Sequence, residues 1–435
     1  MVSTTPKLPL KNRRGAFRLL FFALMAVGAG NTMLITSVLP LLVRRLELPA
    51  WTAGAIFSLS AFLWVVTSPF WGKKSNRWGR RKVAALGMAG FTISMFLFGT
   101  VGLISLSGFI TFWPLVFFLL LSSRSLFGLF GSGTNPAAQA YVADRTEAKN
   151  RTEEIATLTS GFTFGTAIGP SLAGVLIDQV HLLAPVYVIS IVACVIGLTI
   201  WFTLPEHREP EIKVVKSDEG KGLWRAPGVM PFLIYGVGLS LVSGVMLQTF
   251  PYFMLDRLHE TGYLPDPSPQ NENPGAQELG IVMTLGALAT LTAQLALIPR
   301  LKLSPKTLMI SGACLLVGSA VLTISLPTLA VFGMAQILYG IGQGFSRPGF
   351  TSGASLAVGT TLQGNVAGLV TAANGMGFVA SPIFGLWAYE NVHQAAPFVF
   401  SGCVLVLMAV FAFFKATQTY APDESEVIVS EDEDD

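Results

Sequence analysis

Twelve apolar stretches, each near the length that carries a helix across a bilayer, dominate this chain. They fall near 18–42, 52–71, 83–105, 111–134, 155–177 and 184–204, then 229–254, 278–298, 307–326, 329–350, 364–388 and 396–414. The hydrocarbon core of a membrane is about 30 Å thick and takes ~20 helical residues to span. Backbone N–H and C=O groups find no water there, so segments of this length and polarity satisfy themselves as helices. Composition agrees: charged residues are 12% of the chain, against roughly 25% in a soluble protein, and mean hydropathy is +0.60. The expected fold class is all-α and polytopic, with twelve transmembrane helices.

Charge placement supplies an orientation. Lys7, Lys11, Arg13, Arg14 and Arg18 precede the apolar run Leu19 to Val43, which is too long for a signal peptide and lacks its small-residue cleavage site. With both termini in the cytoplasm, that side receives 23 of the 28 Lys and Arg. Only Arg44, Arg45 and Arg257 face outside, while Arg124 and Arg347 fall within spans. Such a bias is the positive-inside signature. Residues 423–435 hold eight acids and no base, so the net +3 conceals a basic remainder. That excess follows the membrane and argues against nucleic acid as a partner. The tail reads as a solvated end. Cys194, Cys314 and Cys403 are far apart in apolar segments and read as small core residues, without a metal or disulfide pattern.

A shift of 212 residues superimposes the two halves. Leu126, Gly128 and Pro136 meet Leu338, Gly340 and Pro348; with no gap, Gly165 and Pro170 meet Gly377 and Pro382. Phe127 meets Tyr339, Leu129 meets Ile341, and near the same offset Pro40 corresponds to Pro251. The expected organisation is a segment 1–15, a six-helix half 16–204, a linker 205–228, a second half 229–415 and the acidic tail 416–435. Parallel repeats of this kind imply a solute site where the halves meet, near the bilayer midplane.

After the second span comes Gly72-Lys73-Lys74-Ser75-Asn76-Arg77-Trp78-Gly79-Arg80-Arg81-Lys82. The glycines suit a tight turn, and the bases suit anionic headgroups and helix C-termini. This segment resembles the loop signature of the major facilitator superfamily: a glycine, an acid-arginine pair, a glycine and two bases. Gly72, Arg77, Gly79, Arg80 and Arg81 match, but the family's acid is Asn76 here. The resemblance implies a cytoplasmic gate whose lock is weaker or built differently. Arg124-Ser125-Leu126-Phe127-Gly128 resembles the family's membrane-embedded arginine, with Phe127 where glutamine is usual. Asp144-Arg145-Thr146 through Arg151 also resembles the family pattern. In helix 5, Gly165-Thr166-Ala167-Ile168-Gly169-Pro170-Ser171-Leu172-Ala173-Gly174 is similar to the antiporter motif that marks exporters. Small residues at this spacing permit close helix approach, and Pro170 favours a kink. The resemblance covers residues ~16 to 415 and is nearest to the twelve-helix drug:proton antiporters, tetracycline efflux proteins among them. It implies a monomeric secondary transporter, multi-pass in a bacterial inner or plasma membrane, needing no cofactor or metal.

Ionisable groups inside a span are costly and therefore candidates for function. All 25 acids lie in loops, tails or span edges, the nearest being Asp178, Asp256, Glu278 and Glu390. His181, His207, His259 and His393 are also peripheral. Arg124 and Arg347 remain inside, and guanidinium pairs well with carboxylate or phosphate. Asn31, Asn135, Gln139, Gln248, Gln336, Gln343 and Asn374 are the polar candidates to line the path. Asn31 stands near where many relatives of the resembled family carry an acid. Arginine does not exchange protons at working pH, so the coupling ion, a proton or a counter-anion, stays open. The expected activity is alternating-access export of a small amphiphilic, anion-bearing metabolite or drug, such as a siderophore-like polycarboxylate. Uptake or exchange of an organic anion is the rival transport reading. A receptor or scaffold would want a large extramembrane domain, and an enzyme a central nucleophile or metal cluster; the chain shows neither.

Overall fold

The computed structural model describes residues 10–146, 148–206, 224, 226, 228–266, 268, 273–358 and 363–416. Most of the 205–228 linker and nearly all of the acidic tail lie outside these residues, as does the side chain of Asn76.

Twelve helices run through the described residues. Leu10–Thr32, Met33–Val38 and Leu39–Arg45 continue one another as α1; Ala50–Trp78 is α2 and Arg80–Leu106 is α3. Trp113–Leu129, Gly131–Gly133 and Thr134–Asp144 make α4; Ala148–Gln179 is α5 and Ala184–Thr203 is α6. Met230–Glu260 is α7, and Ala276–Thr292, Ala293–Leu297 and Ile298–Leu301 make α8. Pro305–Ser325, Leu329–Leu356, Gln363–Asn391 and Ala396–Lys415 are α9 to α12. Eleven of them are long and apolar enough to cross a membrane. The exception is α10, long enough at 28 residues but diluted by Gln336, Gln343, Ser346, Arg347 and its glycines.

Local chemistry sets several boundaries. Proline, which lacks the N–H that a first helical turn leaves unbonded anyway, stands in the first turn of α6, α7, α9 and α12. The Ser304 hydroxyl accepts from the Thr307 N–H at 3.2 Å at the start of α9, and Thr328 accepts from Val331 N–H at 3.4 Å at the start of α10. Inside α1 and α8 the helix widens to π geometry over Met33–Val38 and Ala293–Leu297. Each widened turn ends two residues before a proline, Pro40 or Pro299. A proline ring removes one N–H and crowds the carbonyl four residues back, and a π turn accommodates both.

The chain forms two compact units: α1 to α6 with Gly262–Thr284, and α7 with Leu285 onward. In the first, α1 packs on α5, α3 on α6, α2 on α4 and α3 on α4. In the second, α7 packs on α11, α9 on α12 and α9 on α10. The α1–α5, α3–α6 and α3–α4 pairings thus recur one half later. The 212-residue offset also relates two peripheral histidines. His181 Nδ1 accepts from Leu183 N–H at 3.1 Å and His393 Nδ1 from Ala395 N–H at 3.1 Å, each closing the turn into the next helix.

Large apolar side chains such as Phe202, Leu407 and Phe414 are exposed, as lipid-facing positions are. Cys194, Cys314 and Cys403 are exposed too, so they are not core residues. Apolar character in a membrane helix does not report burial, because lipid is as apolar as the protein interior.

Candidate functional site

In the first unit the α-helical stretch of α1 just before its π turn and the middle of α4 bring Asn31 to Arg124. Arg124 Nη2 donates to Asn31 Oδ1. The guanidinium carbon lies 4.4 Å from the centre of the Phe127 ring, one helical turn along α4. Arg124 is only 1% exposed, and its Nε and Nη1 have no hydrogen-bond partner among the described residues. Further along α4, Gln139 Nε2 donates to Asn135 Oδ1 at 2.9 Å. The expected span end at 134 is exceeded by ten residues, so both amides sit on helix.

In the second unit a chain of polar groups joins α7 and α10. Gln343 Nε2 donates to Ser243 Oγ at 2.6 Å, while Gln343 Oε1 accepts from Arg347 Nε at 3.2 Å. Tyr339 OH reaches the Ser243 carbonyl at 3.5 Å, and the Arg347 guanidinium carbon lies 5.8 Å from the Phe378 ring centre. Arg347 is half-buried, and α10 continues nine residues past it to Leu356. It therefore stands well inside the helix rather than near its end. Gln248, Gln336 and Asn374 are not drawn into this chain. Gln248 is buried with Nε2 unpartnered among the described residues, Gln336 packs against Gly286, and Asn374 Nδ2 donates to the Val370 carbonyl at 3.1 Å.

The segment expected as a loop is mostly helix. α2 runs through Gly72 to Trp78, and Gly79 alone, at φ +98°, separates it from α3. A left-handed φ at one residue turns the chain so tightly that no longer loop is needed. Arg80 Nε pairs with Asp144 Oδ2 at 3.0 Å, and Arg80 Nη1 donates to Ser75 Oγ at 2.5 Å. Arg81 Nε lies 3.5 Å from Glu206 Oε2, and its backbone N–H donates to Glu206 Oε1 at 3.4 Å. Arg145, over the Tyr141 ring at 3.7 Å, donates to the Pro205 carbonyl at 3.4 Å. Arg77 is exposed at the end of α2. The carboxylates at this turn come from the end of α4 and from beyond α6.

The helix-5 glycines make two different contacts. A Cβ on Gly165 would lie 2.7 Å from Ala29 N, and one on Gly169 would lie 2.7 Å from Ala29 O. These positions bring α5 onto the backbone of α1. Past Pro170 the partner changes: a Cβ on Gly174 would lie 2.8 Å from Ala276 O, and one on Gly280 would lie 2.7 Å from Pro170 O. The motif is thus a double-sided packing surface, with α1 on one stretch and the start of α8 on the next.

Sequence reasoning missed Ser243, Tyr339, Asp144 and Glu206 as partners of these groups. Tyr339 carried a signal, since the repeat places a hydroxyl where the first half has Phe127. Ser243 carried none, because buried serines are common in membrane helices and this one is singled out only by what it touches.

The sequence pattern of the Major Facilitator Superfamily matches residues 20–370 and again 267–429. The chain belongs to the Major Facilitator Superfamily. Like other members it is a multi-pass membrane protein of secondary-active small-molecule transport. It is 26% identical over 405 residues to multidrug resistance protein 2 of Bacillus subtilis, covering 89% of this chain and 91% of that one. It is 30% identical over 214 residues to multidrug resistance protein MdtG of Proteus mirabilis, covering 47% of this chain and 49% of that one. In fold, this superfamily member resembles a bacterial homologue of the human lysosomal transporter Spinster at a TM-score of 0.74 and 14% identity, covering 95% of this chain and all of that one. The human organic anion transporter MFSD10 gives a TM-score of 0.62 at 20% identity, covering 93% of this chain and all of that one.

Proposed function

We propose that this transporter exports a small amphiphilic solute bearing an anionic group, by alternating access, as a member of the drug:proton-antiporter-like group. The observation that carries this reading is the chain of Arg347, Gln343, Ser243 and Tyr339 inside the second unit. Gln343 holds the Arg347 guanidinium through Nε alone, leaving the other nitrogens for an acceptor such as a carboxylate. The Phe378 ring offers an apolar surface beside it. The α5 motif with its two packing faces supports export, as do relatives named for multidrug resistance. Siderophore-like hydroxycarboxylates belong to the substrate class. The reading keeps both termini in the cytoplasm, with Gly72 to Arg81, Asp144 and Glu206 as the cytoplasmic gate.

The test is retention of two dyes in cells producing the protein, carboxyfluorescein as the anion and ethidium as the cation. Lower retention of carboxyfluorescein, abolished in Arg347→Gln, is expected. Efflux of ethidium alone, or efflux of carboxyfluorescein untouched by that substitution, would overturn the anionic assignment. Uptake of carboxyfluorescein would favour the opposite direction, which the naming of MFSD10 as an organic anion transporter leaves as the second reading.

A further inference from the structure

Arg124 presents a charge problem that the first unit does not solve with its own side chains. Arginine keeps its proton at any working pH, so a fully buried guanidinium must be matched by an anion or by good hydrogen bonds. The groups around it are neutral. Asn31 Oδ1 takes one bond from Nη2, and the Phe127 face, itself packed on Phe91 at 5.3 Å between ring centres, covers another side. Nε and Nη1 are buried with no partner among the described residues.

No acid of α1 to α6 lies near Arg124 along the helices. α1, α2, α3 and α6 contain no Asp or Glu, and those of α5 lie at its ends. The sole acid of α4 is Asp144 at its last residue, about 30 Å along the axis from Arg124 at 1.5 Å per residue. Asp144 is moreover engaged with Arg80. Asn31 occupies the one contact where a carboxylate would have neutralised the guanidinium, and asparagine is nearly the same shape without the charge.

We propose that Arg124 and Asn31 form a binding site for a small monovalent anion, a chloride ion or a single carboxylate group. The bound anion meets the unpartnered Nε or Nη1 donors and supplies the negative charge that Asn31 lacks. This inference rests on the transport reading above only for the origin of a carboxylate; the chloride arm is independent of it.

The experiment measures thermal unfolding of the purified, detergent-solubilised full chain by tryptophan fluorescence. Sodium chloride, sodium acetate and sodium gluconate are titrated at constant ionic strength. A saturable upward shift of the midpoint in chloride marks an inorganic-anion site. The same shift in acetate alone marks a carboxylate site, and bulky gluconate is expected to give none. Asn31→Asp builds in the missing charge, so the shift is expected to vanish there, as in Arg124→Gln; Arg300→Gln, at an exposed arginine of α8, is expected to keep it. Wild-type protein that responds no more to chloride or acetate than to gluconate would overturn the site. So would an Asn31→Asp variant that responds as wild type does. Asn31→Asp is near-isosteric and carries the test by itself if Arg124→Gln does not fold. Because this readout is binding, its failure is separate from a failure of carboxyfluorescein export.

Discussion

Gly165→Ala adds one methyl group at the place where α5 and α1 approach most closely. The new Cβ would stand 2.7 Å from the Ala29 nitrogen and closer still to the Met25 carbonyl oxygen, against an ordinary contact of 3.4–4 Å. Both neighbours are helix backbone, so neither can rotate away as a side-chain tip would. The helices must part by about 1 Å or bend, and overpacking of this kind costs about 1–3 kcal/mol. Separation would be felt at Gly161 and Gly169, whose added Cβ atoms would lie 2.6 Å from Phe21 O and 2.7 Å from Ala29 O. The control is Gly402→Ala on α12, where nothing lies within 4 Å and replacing a mid-helix glycine gains up to ~1 kcal/mol. That gain is common to both variants, so they differ by the overpacking cost, ~1–3 kcal/mol, although each adds one carbon. Thermal unfolding of the purified proteins reads the difference as a lower midpoint for Gly165→Ala. Equal midpoints, or a more stable Gly165→Ala, would refute the claim that glycine is required there by a backbone contact.

Gly79→Ala places a Cβ on a residue at φ +98° and against the Glu206 carboxylate; a loss of ~1–3 kcal/mol in unfolding is expected. Gly72→Ala, inside α2 with its nearest neighbour at an ordinary 3.8 Å, is expected to gain up to ~1 kcal/mol. Tyr235→Phe removes a buried hydroxyl that lies 2.6 Å from the Met309 carbonyl and 3.0 Å from Ser346 Oγ. It should lower stability by about 1 kcal/mol in the same assay. Arg80→Ala breaks a solvent-accessible ion pair with Asp144, so its unfolding midpoint should move by less than ~1 kcal/mol; a larger loss would mean the turn depends on that pair.

Much of the fold was legible because bilayer thickness imposes a length and a polarity on every span. The helix starts at 184, 329 and 396 coincide with the apolar boundaries. Departures occur where a helix continues beyond its apolar stretch, as α2 does to Trp78 and α4 to Asp144. A hydropathy boundary marks where lipid contact ends, not where backbone hydrogen bonding does. The candidate site was legible only by residue type. Arg124 and Arg347 stood out because intramembrane charge is rare, and both are embedded with polar partners. Gln248, Gln336 and Asn374 had the same appearance as Gln343, yet only Gln343 is bound to Arg347.

The sequence alone determined the membrane class, the twelve helices, the 212-residue repeat and the confinement of acids to loops, tails and span edges. Each follows from chemistry that acts locally: burial of backbone in lipid, the cost of charge there, and glycine and proline at recurring positions. Tertiary structure decided which polar groups meet. It joined Asn31 to Arg124 across 93 residues and Gln343 to Ser243 across 100. It also gave the Gly165–Gly174 stretch two partners and turned three cysteines outward. These outcomes depend on which face of a helix packs against which neighbour. In a membrane, lipid and protein interior are equally apolar, so hydropathy carries little information about that choice.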